Sequence, residues 1–256
     1  MACYGFASAE TIAKNLSENP ILASLFPTSD SGPDEQYLKN TVRKMFYELD
    51  TPENKEKLTS SIKDIKAHIQ TLADKSAHQS LCLTLIEQYG ESDIGILFTF
   101  FFNILNLNKG QAFVISPDEP HAYISGDLVE AMVSSDNVVR GGLTPKFKDT
   151  QTLVEMLIYE FKERSASSGT SDTKGITKYE TGYEEFMIEH IVPQNGESIT
   201  QTYNSLAIAI VLEGEANCSF GDEKVMMENK TAYYIMPEIA ITISGDASIF
   251  ICRCDI

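Results

Sequence analysis

Between Glu53 and Leu72 the apolar residues Leu58, Ile62, Ile65, Ile69 and Leu72 recur at steps of four and three, with charged residues filling the gaps. That spacing puts one apolar stripe on one face and predicts an amphipathic helix against a core. Leu38, Val42, Met45, Phe46 and Leu49 repeat the pattern between Pro33 and Pro52. Ser8 supplies a cap for a short helix carrying Ile12 and Leu16, which Pro20 closes. His78 to Tyr89 adds a further helix, so residues 1–89 read as a helical domain.

From about Ile94 the period changes. Residues 102–107 alternate apolar and polar, Asn108-Lys109-Gly110 makes a turn, and Gln111 to Ser116 reads as a second strand. Short strands continue to about 139, and Thr152 to Phe161 predicts a helix. Residues 162–175 are polar and read as a flexible loop or linker. Beyond it, 205–212 is a strand ending at a Glu213-Gly214 turn. Thr231 to Met236, Ala240 to Ile243 and Ser248 to Cys252 follow, parted by Pro237 and Gly245-Asp246. Many short strands at this spacing predict a sandwich or barrel rather than a parallel sheet. The expected fold is mainly β with a helical domain: helices over 1–89, core strands and a helix over 90–164, and a β domain over 176–256.

Composition narrows the class. At 256 residues, 43% hydrophobic and 22% charged, the chain is an ordinary globular length of sequence. A formal charge of -17 argues against nucleic acid or an anionic membrane as partner, since both call for a basic surface. The five cysteines form no CxxC pair, and no basic-then-apolar leader opens the chain, which points to a reduced, cytoplasmic protein. The longest apolar run, Ile94 to Leu107, holds Thr99, Asn103 and Asn106 and falls short of the roughly 20 residues of a membrane span.

Candidate chemistry concentrates in residues 119–149, where a histidine, several carboxylates, an arginine and two lysines share about thirty positions. Such density of unlike charges predicts the wall of a polar pocket for an anionic, hydroxyl-rich ligand. His121 opens a strand after Pro120; an imidazole there is a metal ligand, with Asp127 or Glu130 to orient it, or simply a satisfied polar residue. Arg140 stands between Val138-Val139 and Gly141-Gly142, where backbone can approach a ligand closely. Its guanidinium would bind a phosphate or an oxyanion, or else pair with Asp136. Lys146 and Lys148 follow the Thr144-Pro145 turn and otherwise look like surface lysines. No phosphate-binding glycine loop, GxSxG elbow or paired zinc-cysteine spacing occurs.

The run PHAYISGDLVEAMVSSDNVVRGGLTPKFKD resembles the signature of the type I mannose-6-phosphate isomerases, zinc-dependent enzymes of the cupin fold. EQYGESDIG at 87–95, NKGQAF at 108–113 and TLVEMLIYEF at 152–161 extend the likeness. The resemblance implies cupin (double-stranded β-helix) barrels with an all-α segment. It implies a reversible conversion of mannose 6-phosphate to fructose 6-phosphate through a cis-enediol, supplying GDP-mannose. Carried over by position, His121 is a zinc ligand and Arg140 the catalytic arginine, with Glu130 a proton carrier. Tyr123 and Asp136 line the pocket, and Lys146 meets the phosphate. The resemblance also implies three further zinc ligands, a Gln-x-His pair and a glutamate, that this sequence lacks. The chain is therefore expected to match the C-terminal portion of such an isomerase, to bind zinc poorly alone, and to leave one barrel short of strands with sheet edges exposed. A non-catalytic cupin-like binding module is the alternative.

Overall fold

A computed structural model describes residues 1–193 and 196–254. The chain forms two compact units, one of residues 1–106, 115–126 and 136–165, the other of 107–114, 127–135 and 166–256.

The first unit is built on the helical stripes. Ser8 caps α1 (Ala9–Ser17), its Oγ accepting from the Thr11 N–H at 3.2 Å. Pro20, expected to close that helix, instead occupies the first turn of α2 (Pro20–Leu25), where its missing N–H costs nothing. α3 (Glu35–Lys44) runs into a π-helical turn over Met45–Leu49, and together they bury Leu38, Val42, Met45, Phe46 and Leu49. α4 (Lys55–Thr71) buries Leu58, Ile62, Ile65 and Ile69, the stripe read from the sequence. α5 (Ala77–Tyr89) opens on a reciprocal Ser76–Gln79 capping box, and a short helix, α6 (Gly95–Phe98), follows.

These helices share one core with a three-stranded antiparallel sheet, ordered β2 (Phe102–Leu105), β1 (Ala2–Phe6), β3 (His121–Tyr123). β1 corrects the helical reading of the first residues. All five of its side chains are buried, so it carries no alternation to betray a strand. Aromatic rings pack within this core: Phe6 meets Phe102 edge-on at 5.5 Å across β1 and β2, and Phe26 meets Phe101 at 5.4 Å.

His78 faces this core, its Nε2 donating to the Phe102 carbonyl at 3.1 Å. Burial chiefly lowers its pKa, with the nearby Lys14 adding to the effect and the Phe102 carbonyl and Glu18 opposing it. A folded-state pKa below the unfolded one means the unfolded chain takes up the proton first. The stabilisation is therefore complete above about pH 6.5 and is lost as pH falls toward the folded value. Thermal melts at pH 7.5 and 5.5 are expected to show a smaller acid-induced fall in Tm for His78→Gln than for the parent; equal falls would refute this.

Two further readings of this region are corrected. The helix expected over 152–161 is α7 (Thr150–Met156), capped by Asp149 and ended where Leu157 turns to ψ 138°. Beyond it Tyr159 stacks on Phe6 at 5.7 Å, and its hydroxyl donates to the Val154 carbonyl. Residues 111–116 form no strand; Ala112 makes an isolated bridge to Ser167.

The second unit is a β-roll built on one eight-stranded antiparallel sheet. Its main path runs β10 (Ala232–Ile235), β8 (Ala207–Phe220), β11 (Ile241–Arg253), β6 (Met187–Ile191), β5 (Ile176–Tyr179), β4 (Thr170–Thr173). β9 (Glu223–Met227) pairs with the far half of β8, and β7 (Ile199–Gln201) with the near half of β11. β8 and β11 thus pair with each other along most of their length and change their outer neighbours from one half to the other. The expected turns at Glu213-Gly214 and Gly245-Asp246 are not turns: both strands continue through them. Leu212 is the extra residue, since Val211 and Glu213 pair with the consecutive Ile249 and Ser248. Gly214 has φ +71°, and a Cβ there would lie 1.9 Å from the Asp246 carbonyl oxygen. Only glycine lets the two backbones pass so closely at this bend.

Ala207, Ala209, Val211, Ile249 and Ile251 line the interior of the roll. Glu189 is buried among them, taking Arg253 Nε at 3.0 Å on one oxygen and the Tyr203 hydroxyl at 3.0 Å on the other. Burial first, and the Glu189 charge second, raise the Tyr203 pKa and keep the phenol protonated. Residues 170–173, read as linker, are instead the exposed edge strand β4, paired to β5 across a turn at Lys174-Gly175.

Candidate functional site

β3 places His121 and Tyr123 on one side of the sheet, two residues apart, with Ala122 turned the other way. Cross-strand pairs Tyr4–His121, Cys3–Ala122 and Ala2–Tyr123 fix the register. The rings of His121 and Tyr123 lie 5.8 Å apart and both residues are exposed. His121 Nδ1 faces the Glu119 carbonyl at 3.0 Å. A carbonyl only accepts, so Nδ1 carries the proton in this hydrogen bond. A backbone oxygen, rather than a carboxylate, therefore orients this imidazole.

Glu119 does more than hold His121. Its carboxylate takes Arg164 Nη2 at 2.7 Å and Nε at 3.2 Å, and the Ser116 N–H at 2.9 Å. Arg164 Nη2 also bonds the Ser116 hydroxyl. The Tyr4 hydroxyl closes the set, accepting from the Arg164 N–H at 2.7 Å and donating to the Arg164 carbonyl at 3.0 Å. Arg164 falls in the stretch read as flexible, yet its side chain is 19% exposed and tied at both ends. Nothing in local sequence pattern joins Glu119 to a cation 45 residues away, and both residues were missed.

Arg140 rests on a backbone held from three sides. Val139 and Leu143 pack on the helical core. Asp93 Oδ1 accepts the N–H of Gly95 at 2.7 Å and of Leu143 at 2.9 Å. A Cβ on Gly142 would come within 2.8 Å of Gly95 Cα and N, so the 140–143 turn and the start of α6 touch backbone to backbone. Leu143 keeps φ +54°, a conformation a bulky side chain holds only when its surroundings impose it. Among the described residues Arg140, half-buried, forms no ion pair, with Asp136 or with any other carboxylate. Asp93 was visible only as one letter of the EQYGESDIG match; its clamping role was not legible.

The remaining candidates are on the surface. Asp136 and Lys146 are exposed, and the Lys146 N–H donates to the Thr144 hydroxyl at 3.2 Å. Lys148, expected to be an ordinary surface lysine, is instead partly buried in an ion pair with Asp50. Glu130 is exposed on 127–135, which clusters with the second unit. Among the described residues no three His, Cys, Asp or Glu side chains are grouped so as to hold a metal ion. No helix among the described residues is long and apolar enough to cross a membrane.

No family model matches the chain. Among curated proteins it is 33% identical over 228 residues to mannose-6-phosphate isomerase 2 of Arabidopsis thaliana, covering 88% of this chain and 51% of that protein. It is 27% identical over 257 residues to the mannose-6-phosphate isomerase of Candida albicans, covering 93% of this chain and 58% of the relative. Among solved structures, the apo mannose 6-phosphate isomerase of Salmonella typhimurium superposes on the whole chain with a TM-score of 0.82 at 21% identity, using 64% of its own length. The fold is thus mainly β with helices, of the cupin type, in the class of proteins named as sugar-phosphate isomerases. More narrowly, the chain is a homologue of the mannose-6-phosphate isomerases and spans about half the length of the curated relatives it matches.

Proposed function

We propose that the chain carries part of the active site of a cytoplasmic mannose-6-phosphate isomerase, interconverting mannose 6-phosphate and fructose 6-phosphate on the route to GDP-mannose. Arg140 carries this reading: a half-buried cation without a carboxylate partner among the described residues, on a strained and clamped turn, suits a developing oxyanion. Aldose–ketose conversion removes the proton at C2, leaves an enediolate, and returns a proton to C1. An arginine keeps its own proton throughout and offers a forked donor to the charged oxygen. In this reading Lys146 meets the phosphate, and Tyr123 and Asp136 contact the sugar.

The family resemblance implies zinc, and in this reading His121 would be one of its ligands. A zinc site needs at least three protein ligands, and the described residues do not group them. The residues present do not fit the metal by themselves, and no step above runs through it.

The reading is tested by a coupled isomerase assay with the 256-residue chain alone and supplemented with the part of the Arabidopsis relative it does not match. Little turnover is expected alone and measurable turnover when supplemented, with Arg140→Lys lowering kcat by about a hundredfold or more. Parental turnover in Arg140→Lys would remove the arginine from the chemistry. The second reading, a non-catalytic binding module, draws on the lack of a metal-ligand group among the described residues. Binding of mannose 6-phosphate without turnover in the supplemented sample would favour it.

A further inference from the structure

One side chain distant in sequence fixes the turn that carries Arg140. Asp93 Oδ1 accepts two backbone N–H groups, that of Gly95 at 2.7 Å and that of Leu143 at 2.9 Å. The first bond closes the local turn into α6, and the second crosses 50 residues to a point just after Arg140. Leu143 meets that oxygen at φ +54°, a left-handed conformation that a leucine keeps only when its surroundings impose it. Packing holds the same turn from behind. A Cβ on Gly141 would lie 3.1 Å from Leu153 Cδ2, and one on Gly142 2.8 Å from Gly95 Cα. Both Asp93 bonds end on backbone. Among the described residues its carboxylate therefore anchors the chain beside Arg140 and forms no ion pair with the guanidinium.

We infer that Asp93 is a positioning residue for the isomerase chemistry and acts through Arg140. By holding the Leu143 N–H it sets the backbone from which the guanidinium reaches an oxyanion, and a displacement of about 1 Å there costs up to about a hundredfold in rate. Asparagine would place an oxygen at the same point, less strongly because it is uncharged. Alanine would place none and would take from the Leu143 N–H the acceptor it has. The inference rests on the isomerase reading of Arg140.

Asp93→Ala, Asp93→Asn, Arg140→Lys and the double variant Asp93→Ala/Arg140→Lys are compared in the coupled assay described above. Hydrogen exchange of the Leu143 amide and the Nε–Hε resonance of Arg140 are followed in the same chains. Asp93→Ala is expected to lower kcat by about tenfold to a hundredfold while KM moves by less than about threefold, with Asp93→Asn recovering most of the loss. It should add nothing to Arg140→Lys, because a residue that works through Arg140 has no further effect once the arginine is gone. Leu143 exchange should quicken about tenfold in Asp93→Ala and stay near the parental rate in Asp93→Asn. Gly142→Ala, which drives the turn off Gly95 with Asp93 intact, is the second variant if Asp93→Ala folds poorly by circular dichroism, and it should show the same loss in kcat. A full Asp93→Ala loss on the Arg140→Lys background would make Asp93 a plain structural residue and overturn the inference. Unchanged Leu143 exchange and an unmoved Arg140 resonance would overturn it without reference to turnover. Parental turnover in Arg140→Lys is the separate failure, since it removes the isomerase reading itself whatever the exchange rates.

Discussion

Glu119→Ala is expected to destabilise the first unit by about 3–5 kcal/mol, a large share of the usual 5–15 kcal/mol of a folded domain. The reason lies in what remains. The Glu119 side chain is 8% exposed and Arg164 19% exposed, so truncating the carboxylate strands a guanidinium where water reaches it poorly. The Ser116 N–H loses its acceptor in the same step. Removing both charges together, as Glu119→Leu with Arg164→Met, should recover much of the loss, because a matched apolar pair leaves nothing unpaired. Urea unfolding of the three variants measures this. A Glu119→Ala loss near the ~0.5 kcal/mol of a surface pair would show the bridge to be solvent-screened.

Gly214→Ala should be the most damaging single-methyl addition in the second unit. The new Cβ would sit 1.9 Å from the Asp246 carbonyl oxygen, a backbone atom with no rotamer to yield. Overpacking of this sort costs about 1–3 kcal/mol, and the left-handed conformation adds about 1–2 kcal/mol. Gly221 is the internal control. It has φ +56° but open space where a Cβ would go, so Gly221→Ala carries the conformational cost without the clash. The difference between the two variants in denaturant midpoint isolates the steric part. Equal losses would mean that β8 can move away from β11 at the bend.

These two sites also show where the sequence could and could not be read. The stripe Leu58, Ile62, Ile65 and Ile69 was legible because helical spacing is a local property, and all four residues are buried. The cap at Ser8 follows the same logic. Gly214 and Gly245 misled because glycine marks any backbone that departs from the ordinary, whether a turn or a bulge within a strand. Which of the two it is depends on the partner strand some thirty residues away. Arg164 misled for a related reason. A polar tract looks unstructured until its one buried cation meets Glu119 and Tyr4, and those contacts are set by the fold. In the candidate site, His121 and Arg140 stood out by residue type and setting. Asp93, whose hydrogen bonds shape the turn behind Arg140, did not, because its partners are backbone amides that any residue supplies.

The long β8–β11 ladder governs how the second unit can close. During synthesis on the ribosome, β8 emerges well before β11, yet the two are neighbours along nearly their whole length. Until Ile241–Arg253 has been made, the β8 edge that it covers lacks its main partner, and the eight-stranded sheet is completed only by a pairing distant in sequence.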